Sequence, residues 1–109
     1  RLLLALGTDF IDAFGEIESY EELALCPKGE GGRLAESGRT AIGGDIPVNM
    51  SGGLISKGEP VGASHVGQVV ELVSQLRGDC GPRQVSGAKV GLAHVLGAGG
   101  NCAITILQA

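Results

Sequence analysis

Asn49-Met50-Ser51-Gly52-Gly53-Leu54-Ile55-Ser56-Lys57-Gly58-Glu59-Pro60-Val61-Gly62 decides how this chain is read. A glycine-rich loop runs directly into an amphipathic helix predicted over Ala63–Arg77. Such a junction aims free backbone N–H groups and the positive end of a helix dipole at one point, which suits an anion or a developing negative charge. Within the helix, Val66, Val69, Val70, Val73 and Leu76 recur at spacings of three and four and predict one apolar, core-facing stripe. Ser64 is the expected N-cap residue, and Gly78 stands where a terminating glycine belongs. Gly67, in the first turns, costs about 1 kcal/mol of helix propensity. Close approach of another backbone is the expected reason for that glycine.

Outward from this junction the pattern alternates between helix and strand. Residues 1–6 are a short apolar run, a strand or the tail of a helix, interrupted at Gly7-Thr8-Asp9. From Phe10 to Leu25 the spacing of Phe14, Ile17, Leu23 and Leu25 among glutamates predicts a helix, which Cys26-Pro27 stops. Residues 27–47 read as a long polar loop, either functional, as such a length in a compact domain often is, or a disordered surface connection. Downstream, Asp79–Gly87 is a turn-rich loop and Lys89–Val95 a strand. A turn at residues 96–100 leads into a second strand over Asn101–Leu107, and the two are expected to form an antiparallel hairpin with the helix on one face. The 109 residues suffice for a single domain spanning 1–109, which the initial Arg1 suggests is a fragment.

Composition narrows the function. Aromatics make up 3% of the chain, so Val, Ile, Leu and Ala must fill the core, as in layered α/β folds. The 20 glycines have no collagen-like period and read as turns and close backbone approaches. A net charge of −4 with no basic stripe argues against nucleic-acid binding. Residues 2–6 are too short to span a bilayer. Cys26, Cys80 and Cys102 lack Cys-x-x-Cys spacing, so neither a zinc site nor a disulfide framework is expected. Reduced thiols in the cytoplasm are the simplest reading, and Cys102 reads as a buried small apolar side chain. The Gly97–Cys102 run lacks the last glycine of a dinucleotide fingerprint, and no Gly-Lys-Ser/Thr follows any loop.

Several ordered segments resemble the thiolase superfamily, most closely its lipid-transfer-protein or sterol-carrier-protein-x branch. Residues 49–62 resemble the Asn-x-x-Gly-Gly … Gly-His-Pro-x-Gly-Ala-Ser signature. Residues 21–31 resemble that branch's E-x-L-G-L-C-P-x-G-x-G segment, and residues 48–58 its N-P-S-G-G-L-I-S-K-G. Gln75–Asp79 and Arg83–Val85 match further along, and Ala93–Gly97 sits at a His-Asn-x-Gly motif. The resemblance implies a partial thiolase-like C-terminal domain of α/β class, with helices packed on a small mixed sheet that ends in an antiparallel hairpin. It also implies acyl-CoA chemistry in lipid metabolism, with coenzyme A as part of the substrate and no separate cofactor or metal. The nucleophilic cysteine of such enzymes lies in an N-terminal half, so this chain is expected to be catalytically incomplete alone.

By the same resemblance, Glu59 occupies the place of the catalytic histidine, His94 that of a catalytic base, and Asn49 that of a residue orienting a water or a loop. Gly52, Gly53, Ser56, Lys57, Gly58 and His65 are expected at the substrate. An ionised Glu59 would repel an oxyanion by about 4 kcal/mol at 4 Å and an effective dielectric near 20. Losing the histidine's hydrogen bond costs about 10²–10³ in rate. Either the carboxyl is held neutral in a dry pocket, or the reaction has changed to one that a carboxylate base serves, such as aldol cleavage. A helix-start carboxylate that only stabilises the fold, by about 0.3–1 kcal/mol, explains Glu59 equally well. His65 could pair with Glu59, and His94 at a strand end could face the cavity of the loop after Gly53. Val95 replaces the motif's asparagine and removes a polar orienter. The plain alternative for Asn49 is a turn closing onto Gly52, and the glycines serve backbone conformation. Three functions are therefore expected: part of an acyl-CoA acyltransferase, a non-catalytic module binding acyl-CoA or lipid, or a subunit of a retro-aldol lyase with an OB-fold partner. Exposed apolar surface predicts a homodimer.

Overall fold

A computed structural model describes residues 2–7, 13–97 and 99–109. The predicted interruption at Thr8-Asp9, the predicted helix start at Phe10 and Ala98 of the predicted turn lie outside the described residues, as do Arg1 and the side chains of Phe14 and Ser56.

Three strands form a mixed sheet in the order β1 (Leu2–Gly7), β2 (Val90–Gly97), β3 (Asn101–Gln108). β1 lies parallel to β2, with Leu4 opposite Leu92, and β2 antiparallel to β3, with Ala93 opposite Thr105. The first apolar run is thus a strand, and the hairpin forms as its alternation suggests. β2 extends to Gly97, past the predicted end at Val95, because Leu96 and Gly97 pair with Cys102 and Asn101. The crossover from β1 to β2 carries α1 (Ala13–Glu22), α2 (Gly31–Glu36), α3 (Gly53–Lys57) and α4 (Ser64–Arg77).

Strand alternation sends neighbours in β2 to opposite layers. Ala93 joins Leu72 of α4, Val85 and Ala88 in one core, against which Met50, Leu76 and Leu107 pack. Leu92 packs against a second core of Leu4, Tyr20, Leu34 and Val48, which holds α1 and α2. Among the described residues the core is correspondingly aliphatic, with Tyr20 a buried aromatic.

The stretch 27–47 is ordered, contrary to the expected open loop. Leu34 of α2 is buried, Arg39 pairs with Asp45 at 2.8 Å, and Val48 N–H donates to Thr40 O at 3.0 Å. Glu21 Oε1 accepts the Gly31 N–H at 3.0 Å. Backbone hydrogen bonds from Gly29 and Gly31 hold the Glu21 carboxyl below its usual range. A Cβ on Gly31 would meet the Ile17 carbonyl oxygen at 2.6 Å, so only glycine lets α2 seat against α1.

α4 ends at Gly78 in the left-handed conformation (φ 84°), as the sequence predicts. Its buried face differs from the expected valine stripe. Ser64, Gln68, Leu72 and Gln75 turn inward, while Val66 and Val70 are 62% and 60% exposed. The polar inward residues are anchored by hydrogen bonds to β2 and to the 80–85 segment. These bonds, absent from any periodicity, select the face. The N-cap is Ala63, with no side-chain cap, because the Ser64 hydroxyl turns to Glu59.

Candidate functional site

The junction folds as a short helix between two glycine stops. Gly52 (φ 87°) precedes α3 and Gly58 (φ 78°) ends it. Asn49 itself adopts a left-handed conformation (φ 52°), and its carbonyl accepts the Gly52 N–H at 2.8 Å, closing the turn. Gly53 packs against this asparagine, since a Cβ there would meet Asn49 Cγ at 3.1 Å in a left-handed backbone. These contacts are the physical reason for the Asn-x-x-Gly-Gly pattern.

Between α3, α4 and β1 lies a cavity of about 80 Å³. Its apolar wall comes from Leu4, Met50, Leu54, Pro60, Ala63 and Leu72; Asn49, Ser51, Lys57, Ser64, Gln68 and Glu71 add polar groups, and Gly53, Gly58 and Gly67 complete it. Of the residues anticipated from sequence, Asn49, Gly53, Lys57 and Gly58 therefore meet at one hollow. Glu59, Gly52, His65 and His94 are not among its lining residues.

Glu59 stands just behind that wall. The Ser64 hydroxyl, which lines the cavity, donates to Glu59 Oε1, with the Pro60 carbonyl also within 3.3 Å of it. The group that meets the start of α4 is thus the chain's own Glu59 carboxyl. Its second oxygen, Oε2, is buried without a hydrogen-bond partner.

His65 does not pair with Glu59. Its Nδ1 lies 3.0 Å from Gln68 Oε1 and its Nε2 2.8 Å from Thr105 Oγ1 on β3. Gln68 Nε2 donates to the His94 carbonyl at 3.0 Å, so Gln68 Oε1 is the amide's acceptor and Nδ1 carries the imidazole proton. Nε2 shares the second hydrogen bond with the Thr105 hydroxyl. The triad Thr105–His65–Gln68 ties α4 to both hairpin strands.

His94 is 6% exposed. Its unbroken strand register places it with Leu92, on the layer opposite Leu72, so only its backbone reaches the α4 side. Burial, and secondarily the charge of His65, lowers its pKa, which keeps the ring neutral at physiological pH. Its Nδ1 is buried without a partner. The expectation that this ring faces the hollow after Gly53 is not met.

Sequence reasoning missed Gln68, Thr105 and Glu71, and took Ser64 for a cap. Polar residues at 64, 68, 71 and 75, spaced three and four apart around Leu72, were the available signal. The three cysteines are free, and Cys102, expected inside, is exposed because nothing described covers that face of β3. Among the described residues no group of three or more His, Cys, Asp or Glu could hold a metal ion, and no helix is long and apolar enough to cross a membrane.

A mixed sheet closing on an antiparallel hairpin, with the glycine-bounded turn feeding α4, is the architecture of a thiolase-type C-terminal domain. The family model described as "Thiolase C-terminal domain-like" matches residues 8–109, and the chain belongs to that family. It is 53% identical over 93 residues to sterol carrier protein 2 of Bos taurus, covering 85% of this chain and 17% of that protein. It is 52% identical over 93 residues to an acetyl-CoA acetyltransferase of Methanothermobacter thermautotrophicus, covering 84% and 24%. A benzoylsuccinyl-CoA thiolase subunit of Thauera aromatica is 42% identical over 91 residues, covering 81% and 24%. The chain thus spans about a fifth of the length of these curated relatives, between 17% and 24%.

Proposed function

We propose that this domain contributes the loop-and-helix wall of an acyl-CoA site in a thiolase-like acyltransferase of lipid or acyl-CoA metabolism. The attacking thiol comes from polypeptide outside these residues, and coenzyme A enters as part of the substrate. The observation that carries this reading is the Glu59–Ser64 contact, with Glu59 Oε2 buried and unpartnered beside the cavity. Glu59 stands where the resemblance places the thiolase histidine. A neutral Glu59 would donate from Oε2 to a thioester oxygen; an ionised one would accept a proton as general base. Relatives named as an acetyl-CoA acetyltransferase and a CoA thiolase subunit support the substrate class.

The test is a comparison of the isolated chain with an enzyme completed by an N-terminal half. The chain alone turns over no acetoacetyl-CoA, and measurable turnover would refute the missing-thiol argument. In the completed enzyme, Glu59→His raises the rate by about 10²–10³, the worth of one oxyanion donor.

A second reading is favoured by one observation: neither Glu59 nor His94 lines the cavity. A non-catalytic module that binds acyl-CoA or lipid, or docks a partner such as an OB-fold subunit of a retro-aldol lyase, needs neither. Unchanged, zero turnover in Glu59→His together with retained CoA binding decides for this reading. Under either, the exposed Val66 and Val70 face drives self-association to a dimer, and the free thiols fit a reducing cytoplasmic compartment.

A further inference from the structure

α4 leaves Val66 and Val70 exposed, and a Cβ on Gly67 would meet nothing within 4 Å, so the backbone approach expected there is not made within the described residues. That face carries the dimer contact proposed above. The sheet offers a second surface on which two copies can meet, and its geometry is more restrictive.

Only one border of the sheet is open among the described residues. β1 is closed at its middle, where the Leu4 N–H donates to the Pro47 carbonyl at 3.0 Å and the Leu4 carbonyl accepts the Asn49 N–H at 3.0 Å. β3 has no such cover, and its side chains from Asn101 to Ile104 are exposed on both layers. The Ala109 N–H donates to the Lys89 carbonyl at 3.0 Å, which fixes the phase of the hairpin. In an antiparallel ladder, bonded and non-bonded pairs alternate. Asn101, Ala103, Thr105 and Leu107 therefore turn their backbone groups to β2, and those of Cys102, Ile104, Ile106 and Gln108 point outward. No charge and no proline guards this row, although native borders are usually guarded by one or the other.

A second copy, its β1 border likewise closed, can present only its own β3. Both bonds of a pair form only when an outward residue faces an outward residue. One antiparallel register uses the whole row. Ile104 stands opposite Ile106 of the second copy, Cys102 opposite Gln108, and Thr105 faces its twin on a two-fold axis. Sliding by two residues leaves Cys102 or Gln108 unpaired. In the full register Ile104 and Ile106, 55% and 63% exposed, meet their counterparts in one isoleucine cluster on the layer away from α4. Cross-strand pairs of β-branched side chains are what stabilises a sheet.

We propose that β3 is a self-recognition edge, pairing antiparallel with β3 of a second copy in this register and joining two three-stranded sheets into one. The seam does not depend on the acyl-CoA reading. It lies apart from Val66 and Val70, so copies joined at α4 keep a free β3 border, and at high concentration alternate contacts extend them into a row.

The test uses the full chain carrying Val66→Lys and Val70→Lys, which removes the α4 contact and leaves β3 as built. Amide hydrogen exchange is followed by NMR from micromolar to millimolar protein. The Cys102, Ile104, Ile106 and Gln108 amides are expected to gain at least about tenfold protection as concentration rises, while those of Ala103, Thr105 and Leu107, already bonded, hardly change. Ile104→Pro removes an outward N–H that β2 does not use, so the hairpin keeps its own bonds and the concentration dependence is lost. Ile104→Lys, which keeps the backbone, should weaken pairing at least about tenfold. Thr105→Cys reads the register, because opposite Cα atoms at the axis stand about 4.5 Å apart, within disulfide reach. Under mild oxidation this variant is expected to cross-link through position 105, whereas Cys102, opposite Gln108, does not reach its twin. Protection without concentration dependence, gains confined to Ala103, Thr105 and Leu107, unchanged pairing in both Ile104 variants, or a cross-link between two Cys102 residues would each overturn the proposal. So would protection of the row that appears only when a foreign protein is added, which would make another strand the occupant.

Discussion

The two ends of α4 are built from the same kinds of side chain, yet one is closed and the other is not. At the C-terminal end, Gln75 is fully engaged: Oε1 accepts the Val85 N–H at 2.8 Å, and Nε2 donates to the Arg83 carbonyl at 2.8 Å and to Glu71 Oε1 at 3.2 Å. Glu71 in turn meets Arg83 at 3.0 Å, and Gln84 caps the Cys80 N–H at 3.1 Å. At the N-terminal end, Gln68 and His65 are satisfied but Glu59 Oε2 is not. A buried polar atom left unpaired costs about 1–3 kcal/mol, so the open end is where a ligand has most to offer. The closed end is structural, though its Glu71 also reaches the cavity, to which the open end brings Ser64 and Gln68.

Breaking the closed end should show the largest effect. Gln75→Ala strands the Val85 N–H and the Arg83 carbonyl, and is expected to lower stability by about 2–4 kcal/mol in urea unfolding. Gln68→Ala, measured the same way, should cost less, near 1–2 kcal/mol, because one buried carbonyl, that of His94, is stranded. The two glutamates should then respond differently. Glu71→Gln loses an ion pair whose Arg83 side chain is 45% exposed, which limits the loss to about 1 kcal/mol. Glu59→Gln keeps an oxygen for Ser64 and exchanges one unpartnered buried polar group for another, so stability should change by less than about 0.5 kcal/mol. A loss equal to that of Glu71→Gln would show that the two ends are alike.

Acid titration sharpens the same contrast. Burial is the largest single influence on Glu71 and works to raise its pKa. The Arg83 and Gln75 hydrogen bonds, with the charges of Arg83 and Lys57, outweigh it and hold the carboxyl below 4.5. A depressed carboxylate contributes stability above its unfolded pKa and loses it as pH falls through the folded one. Stability should therefore decline below the ordinary carboxylate range, and Glu71→Gln should flatten that decline. The smallest effect on stability is expected from Val66→Lys with Val70→Lys. Both side chains are exposed, so the melting temperature should hardly change, while sedimentation should show the proposed dimer for wild type and monomer for the double variant.

What the sequence made legible follows the local rules. The hairpin was visible in its alternation and glycine turn, and the end of α4 in Gly78. The face of α4 was not, because 66–70–73 and 64–68–72–75 are both good helical stripes. Partners outside the helix, such as the Arg83 and His94 carbonyls, choose between them. α2 escaped notice because six residues opening on two glycines have little intrinsic helicity; its seat against Ile17 and Glu21 supplies what propensity does not. At the site, Asn49, Gly53, Lys57 and Gly58 could be placed from the resemblance of residues 48–62 to the thiolase signature, whereas the layer that the His94 ring occupies depends on the sheet register.

β3 lies at the border of the sheet and carries no charged residue from Asn101 to Gln108, while Ile104 and Ile106 are 55% and 63% exposed. An uncharged border of this kind is a template for another chain's backbone, because its outer N–H and C=O groups seek partners. In concentrated preparations, fibrillar growth would start there, and a single lysine facing outward in place of Ile106 is the economical way to blunt it.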